Sequence, residues 1–308
     1  MERVLIIDSN SVLHRAYHAL PALSSKSGEL VNAVYGFLLV FFKVVQEFDP
    51  KYIVAAFDFP SPTIRHEKYK EYKATRKKAP DEFYQQIPKI KEILEAFNVP
   101  ILEKKGYEAD DIIGTISRIT LESPQKEAIV VSGDCDILQL INERIKVYVL
   151  RKGVKDTLLY DQELTREKYG GLSPQQLVDF KSLKGDVSDN IPGVQGIGEK
   201  TALSLILAFG SLENLYDEID KGTENAKKIA PKVKEKLIQN KKQAFLSKEL
   251  VMIEKEVPLD FSFEEKKWKD YKKEKVIESL EKLGFYSLVK RLPGSVEKKA
   301  AGQNLKLW

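Results

Sequence analysis

Ala128-Ile-Val-Val131 runs straight into Ser132-Gly-Asp-Cys-Asp136. A short, unbroken β-branched run of this kind fits a strand buried on both faces of a parallel sheet. The loop that follows carries a glycine and two carboxylates. The same punctuation occurs twice upstream, where Val4-Leu-Ile-Ile7 ends on Asp8 and Tyr52-Ile-Val-Ala-Ala-Phe57 ends on Asp58. Ile145-Lys-Val-Tyr-Val149 is a further strand. Helical periodicity fills the intervals at 32–48, 81–97, 109–122 and 136–142. Strand and helix in alternation predict an α/β domain with a parallel sheet. In such sheets ligands bind beyond the carboxyl ends of the strands, so the aspartates that follow the strands share the informative edge.

The bulk numbers bound the rest. A chain of 308 residues with 43% hydrophobic content has room for one large domain or two smaller ones. A formal charge of +4 permits a nucleic-acid partner without requiring one. The lone cysteine, Cys135, allows no internal disulfide and fits a reducing cytoplasm. Residues 2–7 are too short for a signal peptide, and no apolar run reaches spanning length. The longest, Tyr35–Phe42, reads as a buried helix. A cytoplasmic monomer with no membrane partner is expected. From about 174 strand signals fade, and Ser173-Pro174 reads as a helix start. The predicted organisation is an α/β domain over 1–172, a helical region over 173–290 and a polar tail or linker over 291–308.

Gly106-Tyr-Glu-Ala-Asp-Asp-Ile-Ile-Gly114 adds Glu108, Asp110 and Asp111 just where an apolar helix begins. Taken singly, acids in a first helical turn offset unpaired N–H groups, and an aspartate after a strand is a common turn residue. Taken together, Asp8, Asp58, Glu108, Asp110, Asp111, Asp134 and Asp136 on one edge would raise each other's pKa and resist folding unless cations neutralise them. A carboxylate-only set selects hard ions such as Mg²⁺ or Mn²⁺. So many acids point to two ions, an arrangement that holds the attacking and leaving oxygens of a phosphodiester displacement. Asp186 and Asp189, in Lys184-Gly-Asp-Val-Ser-Asp-Asn190, lie on one side of a turn or helix start, where capping is the plain alternative. The histidines form no zinc pattern. His14 and His18, four apart on a helix, read as structural or phosphate-facing.

Two further segments suit a nucleic-acid backbone. Ile191-Pro-Gly-Val-Gln-Gly-Ile-Gly-Glu-Lys-Thr-Ala202 is a glycine-rich hairpin leading into a helix. Gly193, Gly196 and Gly198 allow close backbone approach. The helix-start N–H groups near Lys200 and Thr201 suit phosphate, and no side chain is aimed at bases. A dinucleotide loop would follow a strand, and this one does not. Residues 65–78 are basic with two interleaved tyrosines. A solvated helix is the plain reading. The functional one places Lys73 and Arg76 on one helix face, clamping a phosphate over the acidic edge, with Tyr69 and Tyr72 stacking on unpaired bases.

With GYEADD, D-x-D after Gly133, GDVSDNIPGV and GIGEKTA in this order, residues 1–290 resemble the 5′ nuclease domain of bacterial DNA polymerase I and the wider flap endonucleases. The resemblance implies a PIN-like α/β nuclease domain followed by a helix–three-turn–helix duplex-binding region. It implies divalent-metal-dependent 5′→3′ exonuclease and flap-endonuclease action in DNA replication and repair. It places Asp8, Asp58, Glu108 and Asp110 nearest one ion and Asp134, Asp136, Asp186 and Asp189 around the second, with Asp111 in the set but undivided. It gives catalytic, phosphate-handling roles to Arg65, Lys73 and Arg76 in an arch at about 61–85, and a K⁺ ion to the 193–198 hairpin. The implied partner is DNA with a 5′ flap or 5′ end at a duplex junction, beside a fused or separate DNA polymerase. Cys135 stands where the family usually has lysine, which puts one salt bridge or phosphate contact in doubt. The rivals are a non-catalytic DNA-binding protein of the same fold, a small-molecule phosphatase and a related ribonuclease.

Overall fold

The computed structural model describes residues 1–263, 267–268 and 271–293. Most of the expected 291–308 tail lies outside the described residues. Among the described residues six strands form one sheet in the order β3-β2-β1-β4-β5-β6. They are β1 (Glu2–Asp8), β2 (Tyr52–Ala56), β3 (Ile101–Leu102), β4 (Lys126–Ser132), β5 (Ile145–Lys152) and β6 (Asp156–Tyr160). All pair in parallel except β5 with β6, an antiparallel edge that the sequence reading did not include. The chain leaves β1 toward β2 on one side and reaches β4 on the other. The crevice of such a sheet opens where strand order reverses, so the ends of β1 and β4 frame it.

The strands are apolar on both sides and feed two cores. Val4, Ile6, Val54 and Val130 face one; Leu5, Ile7, Ile53 and Val131 face the other. The second core is covered by α1 (Ser9–Ala19) and α2 (Asn32–Phe48). The segment 81–97, expected as one helix, is two: α4 (Asp81–Tyr84) and α5 (Ile87–Ala96). Pro88 sits in the first turn of α5, a place its ring tolerates, whereas one continuous helix would put it in the interior. Between β2 and α4, the expected basic helix shrinks to α3 (Ile64–Lys68), followed by turns.

The first core holds α6 (Ala109–Glu122) and continues without a break into the helical region. There α7 (Gln162–Lys168) leads to α8 (Gln176–Lys184), α9 (Glu199–Phe209), α10 (Leu212–Lys221), α11 (Glu224–Lys227), α12 (Pro231–Gln239) and α13 (Lys241–Val251). Ile253 and Phe263 still belong to that core, but the described residues from Trp268 on do not. Trp268, Val276, Leu280, Phe285 and Leu288 join the second core, and α14 (Lys273–Lys282) and α15 (Tyr286–Val289) close it. Helices α8 to α10 and α1 therefore lie on opposite faces of the sheet, with the acidic edge between them. Among the described residues no helix is long and apolar enough to cross a membrane.

Candidate metal centre

Asp8 ends β1 and caps α1. Its Oδ1 accepts from the Ser11 N–H at 3.1 Å and its Oδ2 from the Ser132 hydroxyl at 2.6 Å, leaving the residue 3% exposed. Ser132, at the end of β4, also accepts from the Asp134 N–H at 2.9 Å, and Asp134 accepts from the Asp136 N–H at 2.9 Å. One chain of bonds thus carries the edge from β1 to the D-x-D loop. Gly133 is pinned within it. Its N–H donates to the Ser11 hydroxyl at 2.9 Å, and a Cβ there would lie 2.8 Å from the Arg15 side chain. Beyond β2, Asp58 accepts from the Ala109 N–H at 2.8 Å, which fixes the start of α6 and brings Glu108 and Asp110 to the edge.

Burial first, and neighbouring acids second, raise three of these carboxyls. Burial, reinforced by Asp58 and Asp134, pushes Asp8 up to about 7 against its two hydrogen bonds. Burial also holds Asp110 well above the ordinary range, with Asp8 and Asp134 facing it. Asp136 is pushed up to about 6, first by burial and then by Asp134.

The helical region supplies the other wall. Asp186 pairs with Ile191 in an isolated antiparallel bridge, which folds Asp186–Asn190 into a tight turn. Lys181, on α8, donates to Asp136 and, at 2.6 Å, to Asp186. Burial opposes the charge on Asp186, but Lys181 and Ser188 outweigh it and hold the carboxyl down to about 2. Sequence reasoning missed Lys181. It precedes the Asp186 motif and looks like any lysine on a mixed helix, so its spacing carried no signal.

The basic segment departs most from expectation. Lys73 and Arg76 do not share a helix face. Lys73 has a left-handed φ of 56° in a turn whose N–H donates to the Asp189 carbonyl at 2.9 Å. The two side chains still converge on the cleft: Lys73 reaches Glu108 at 2.9 Å, and Arg76 pairs with Asp189. Tyr72 is 3% exposed and turned inward, its hydroxyl donating to Glu108 at 3.0 Å and Asp189 at 3.3 Å. It is no stacking platform in this arrangement. Tyr69 is half-buried, with its hydroxyl on Glu71 at 3.1 Å.

Arg65 and Asp111 pair with each other. Asp111 is 0% exposed, and both its oxygens meet the Arg65 guanidinium at 2.7 Å. They also accept the N–H groups of Glu108 at 3.0 Å and Glu254 at 2.9 Å. Arg65 spends its remaining donors on the carbonyls of Leu250 and Met252, at 2.9 and 2.8 Å, and on the Glu108 carboxylate at 3.4 Å. The pair ties α3, α6 and the end of α13 together, leaving neither group free for an ion or a phosphate.

In the hairpin, Gly193 is buried. Its Cβ would lie 2.3 Å from the Gly185 backbone nitrogen, so it serves internal packing rather than DNA approach. Gly196, Gly198 and Lys200 are exposed, with Thr201 half-buried beside them. Gly198 is the N-cap of α9 and brings no side-chain cap, so the first N–H groups of this 11-residue helix face outward.

Among the described residues no three acids stand close enough to form a ready ion cage. Instead Lys73, Arg76 and Lys181 lie between them. The donor chemistry fits hard divalent ions: Asp8, Asp58, Glu108, Asp110, Asp134, Asp136, Asp186 and Asp189 contribute oxygen alone. Cys135 lies on this loop, but its sulfur accepts from Lys168 of α7 at 3.0 Å.

Comparison with known proteins agrees with this architecture. The family model of the 5′-3′ exonuclease N-terminal resolvase-like domain matches residues 3–170, and that of the 5′-3′ exonuclease C-terminal SAM fold matches 172–274. DNA polymerase I of Bacillus subtilis (strain 168) is 42% identical over 291 residues, covering 94% of this chain and 32% of that protein. DNA polymerase I of Bacillus caldotenax is 41% identical over 302 residues, covering 97% and 33%. The chain thus spans about a third of the length of these relatives. T5 5′-exonuclease with zinc ions bound shares the fold at a TM-score of 0.67 and 20% identity, covering 81% of this chain and 89% of that one. The Rad2 catalytic core in complex with DNA does so at 0.58 and 16%, covering 94% and 90%. With both of its halves matched in order, this chain belongs to the 5′-3′ exonuclease family.

Proposed function

We propose that this chain is a structure-specific 5′ nuclease that hydrolyses phosphodiesters at 5′ flaps and 5′ ends of duplex DNA. One observation carries the reading: acids from four sheet-edge or helix-start positions and from the Asp186–Asn190 turn meet in one cleft, beside a helix start suited to a DNA backbone. Relatives named DNA polymerase I, a T5 5′-exonuclease with bound metal and a DNA-bound Rad2 core support it. By the same relatives, a DNA polymerase is the proposed neighbour, fused or separate.

Asp8, Asp58, Glu108 and Asp110 would hold one divalent ion, and Asp134, Asp136, Asp186 and Asp189 a second, with Mg²⁺ or Mn²⁺ suiting the oxygen donors. When bound, such ions supply Lewis acidity to the phosphate and lower the pKa of an attacking water. The chain's own residues do the rest. The α9 start, with Lys200, grips a duplex phosphate without reading sequence. Backbone carbonyls of the 193–198 hairpin are the proposed K⁺ donors. Lys73 and Arg76 are held in the cleft by Glu108 and Asp189, within reach of a phosphate that enters beside those acids. Their fixed cations would stabilise charge that develops on the phosphoryl oxygens.

The test is cleavage of a 5′-labelled double-flap DNA in Mg²⁺ and in EDTA, beside the matching single strand and a flap RNA. Metal-dependent cutting near the flap junction is expected. Tight binding without cutting in Mg²⁺ or Mn²⁺ would refute the catalytic reading, and preferential cutting of the RNA would move the substrate class to RNA.

A further inference from the structure

His14 and His18 take no part in the carboxylate cluster, yet they stand beside it. With Ser11, Arg15 and Gly153 they line a surface cavity of about 310 Å³ on the α1 face of the sheet. That is at the lower end of the volumes that hold small ligands. No carboxylate lines it, although the cleft one residue away is crowded with them. The wall between the two is the Gly133 peptide. Ser11 accepts its N–H, and Arg15 donates to its carbonyl at 2.9 Å. A second Arg15 bond, to the Arg151 carbonyl at 2.9 Å, fixes the guanidinium against β5. These bonds use two of its five donors, so a permanent cation is locked at the cavity with donors to spare. His14 and His18 are exposed, their rings stacked with centroids 6.3 Å apart, and His14 also packs on Phe83 at 4.1 Å. Packing on Phe83 desolvates the His14 ring in part and holds it below the usual histidine range, with His18 and then Arg76 acting in the same direction. An arriving anion would reverse that preference.

Position says which anion. The α9 platform packs on one face of the sheet and α1 on the other, with the acidic edge between. A strand gripped at α9 and crossing the acids therefore leaves over α1. We propose that the cavity of Ser11, His14, Arg15 and His18 binds a phosphate of the cleaved strand on the 5′ side of the scissile bond. This rests on the nuclease reading above. The phosphate is an internal diester when the substrate carries a flap, and a terminal monoester when the 5′ end is recessed.

The experiment measures DNA binding by fluorescence anisotropy in EDTA, using the full chain. Each of the first three phosphates 5′ of the scissile position in a double flap is replaced in turn by an uncharged methylphosphonate. A recessed end with 5′-phosphate is compared with one bearing 5′-hydroxyl. One neutralisation is expected to weaken wild-type binding about tenfold, and to add a clearly smaller loss in the His14→Gln/His18→Gln double variant, where only Arg15 and Ser11 remain to meet the phosphate. Non-additivity of this kind locates the contact. An effect confined to the flap assigns the diester, and one confined to the recessed end assigns the monoester. No effect at any position in wild type, or the same loss in wild type and variant, overturns the site. Flap cleavage in Mg²⁺ is run on the same preparation. Its absence would refute the nuclease reading, whereas cleavage without a methylphosphonate effect would refute only the cavity.

Discussion

The edge of the sheet and the basic segment at 64–78 are both rich in charge, and they are built on different plans. At the edge, backbone regularity does the placing: a strand ends, an aspartate follows, and a serine or peptide N–H fixes the carboxylate. Asp8, Asp58 and Asp134 all obey that rule, the last through the Asp136 N–H. In the basic segment no regular element reaches beyond Lys68, and each side chain is placed by a partner far away in sequence. Arg65 is held by Asp111, Lys73 by Glu108 and Arg76 by Asp189. The acids are positioned before any base arrives, whereas the bases owe their positions to the acids.

The largest test of that difference uses two neighbours. Asp110 faces the cluster, and Asp111, one residue on, points into the protein. Asp110→Asn is expected to lower the cleavage rate by at least about a thousandfold, with no loss of DNA affinity in EDTA or of melting temperature. Asp111→Asn removes one side of a buried, bidentate ion pair. It should cost about 3–5 kcal/mol of stability, read by denaturant unfolding, while the fraction that remains folded still cuts. The contrast breaks if Asp111→Asn kills cleavage at wild-type stability, or if Asp110→Asn unfolds the chain.

The next test reads the cluster through pH. Asp8, Asp110 and Asp136 have folded pKa values raised above their unfolded ones, Asp8 to about 7 and Asp136 to about 6. The folded state then binds more protons than the unfolded state. Their stability contribution is full below about pH 4 and is lost as pH rises through 6 and 7. In EDTA the melting temperature should therefore fall between pH 5 and 8, less so in Asp8→Asn. Mg²⁺ should restore it, with the larger gain at pH 8. A metal-free melting temperature that rises over this range in wild type, and equally in Asp8→Asn, would show that crowding at the edge is not destabilising.

What the sequence made legible follows the same division. Strand ends and the start of α6 are local events, so the apolar runs and the acids after them located the edge. The helices at 32–48 and 109–122 emerge at the expected bounds because their periodicity is unbroken. The antiparallel β6 and the return of α14 to the second core depend on contacts across the chain. So does the separation of Asp110 from Asp111, since only the arrival of Arg65 and Glu254 marks Asp111 as structural. The basic segment misled most. Its composition fits a helix, but the carboxylates of the cleft pull Lys73 into a left-handed turn that no local propensity favours.

The smallest effect expected comes from Tyr72, where the two plans meet. Its hydroxyl bridges Glu108, beside the sheet edge, to Asp189, in the helical region. Tyr72→Phe keeps the buried ring and removes only the donor, so the two carboxylates lose the single proton they share. At about 0.5–1.5 kcal/mol per bond, partly offset by Lys73 and Arg76 on the same acids, the net loss of stability should be about 1 kcal/mol. The more telling readout is the Mg²⁺ concentration that gives half-maximal cleavage. If the phenol holds Glu108 and Asp189 at the separation suited to ions, its loss raises that concentration several-fold while the rate at saturating Mg²⁺ changes little. If Tyr72 instead turns outward to stack on DNA, the phenylalanine ring stacks as well and the Mg²⁺ requirement stays where it was. A Tyr72→Ala variant would then weaken DNA binding without altering the response to metal, and the segment would have to be read as a nucleic-acid surface after all.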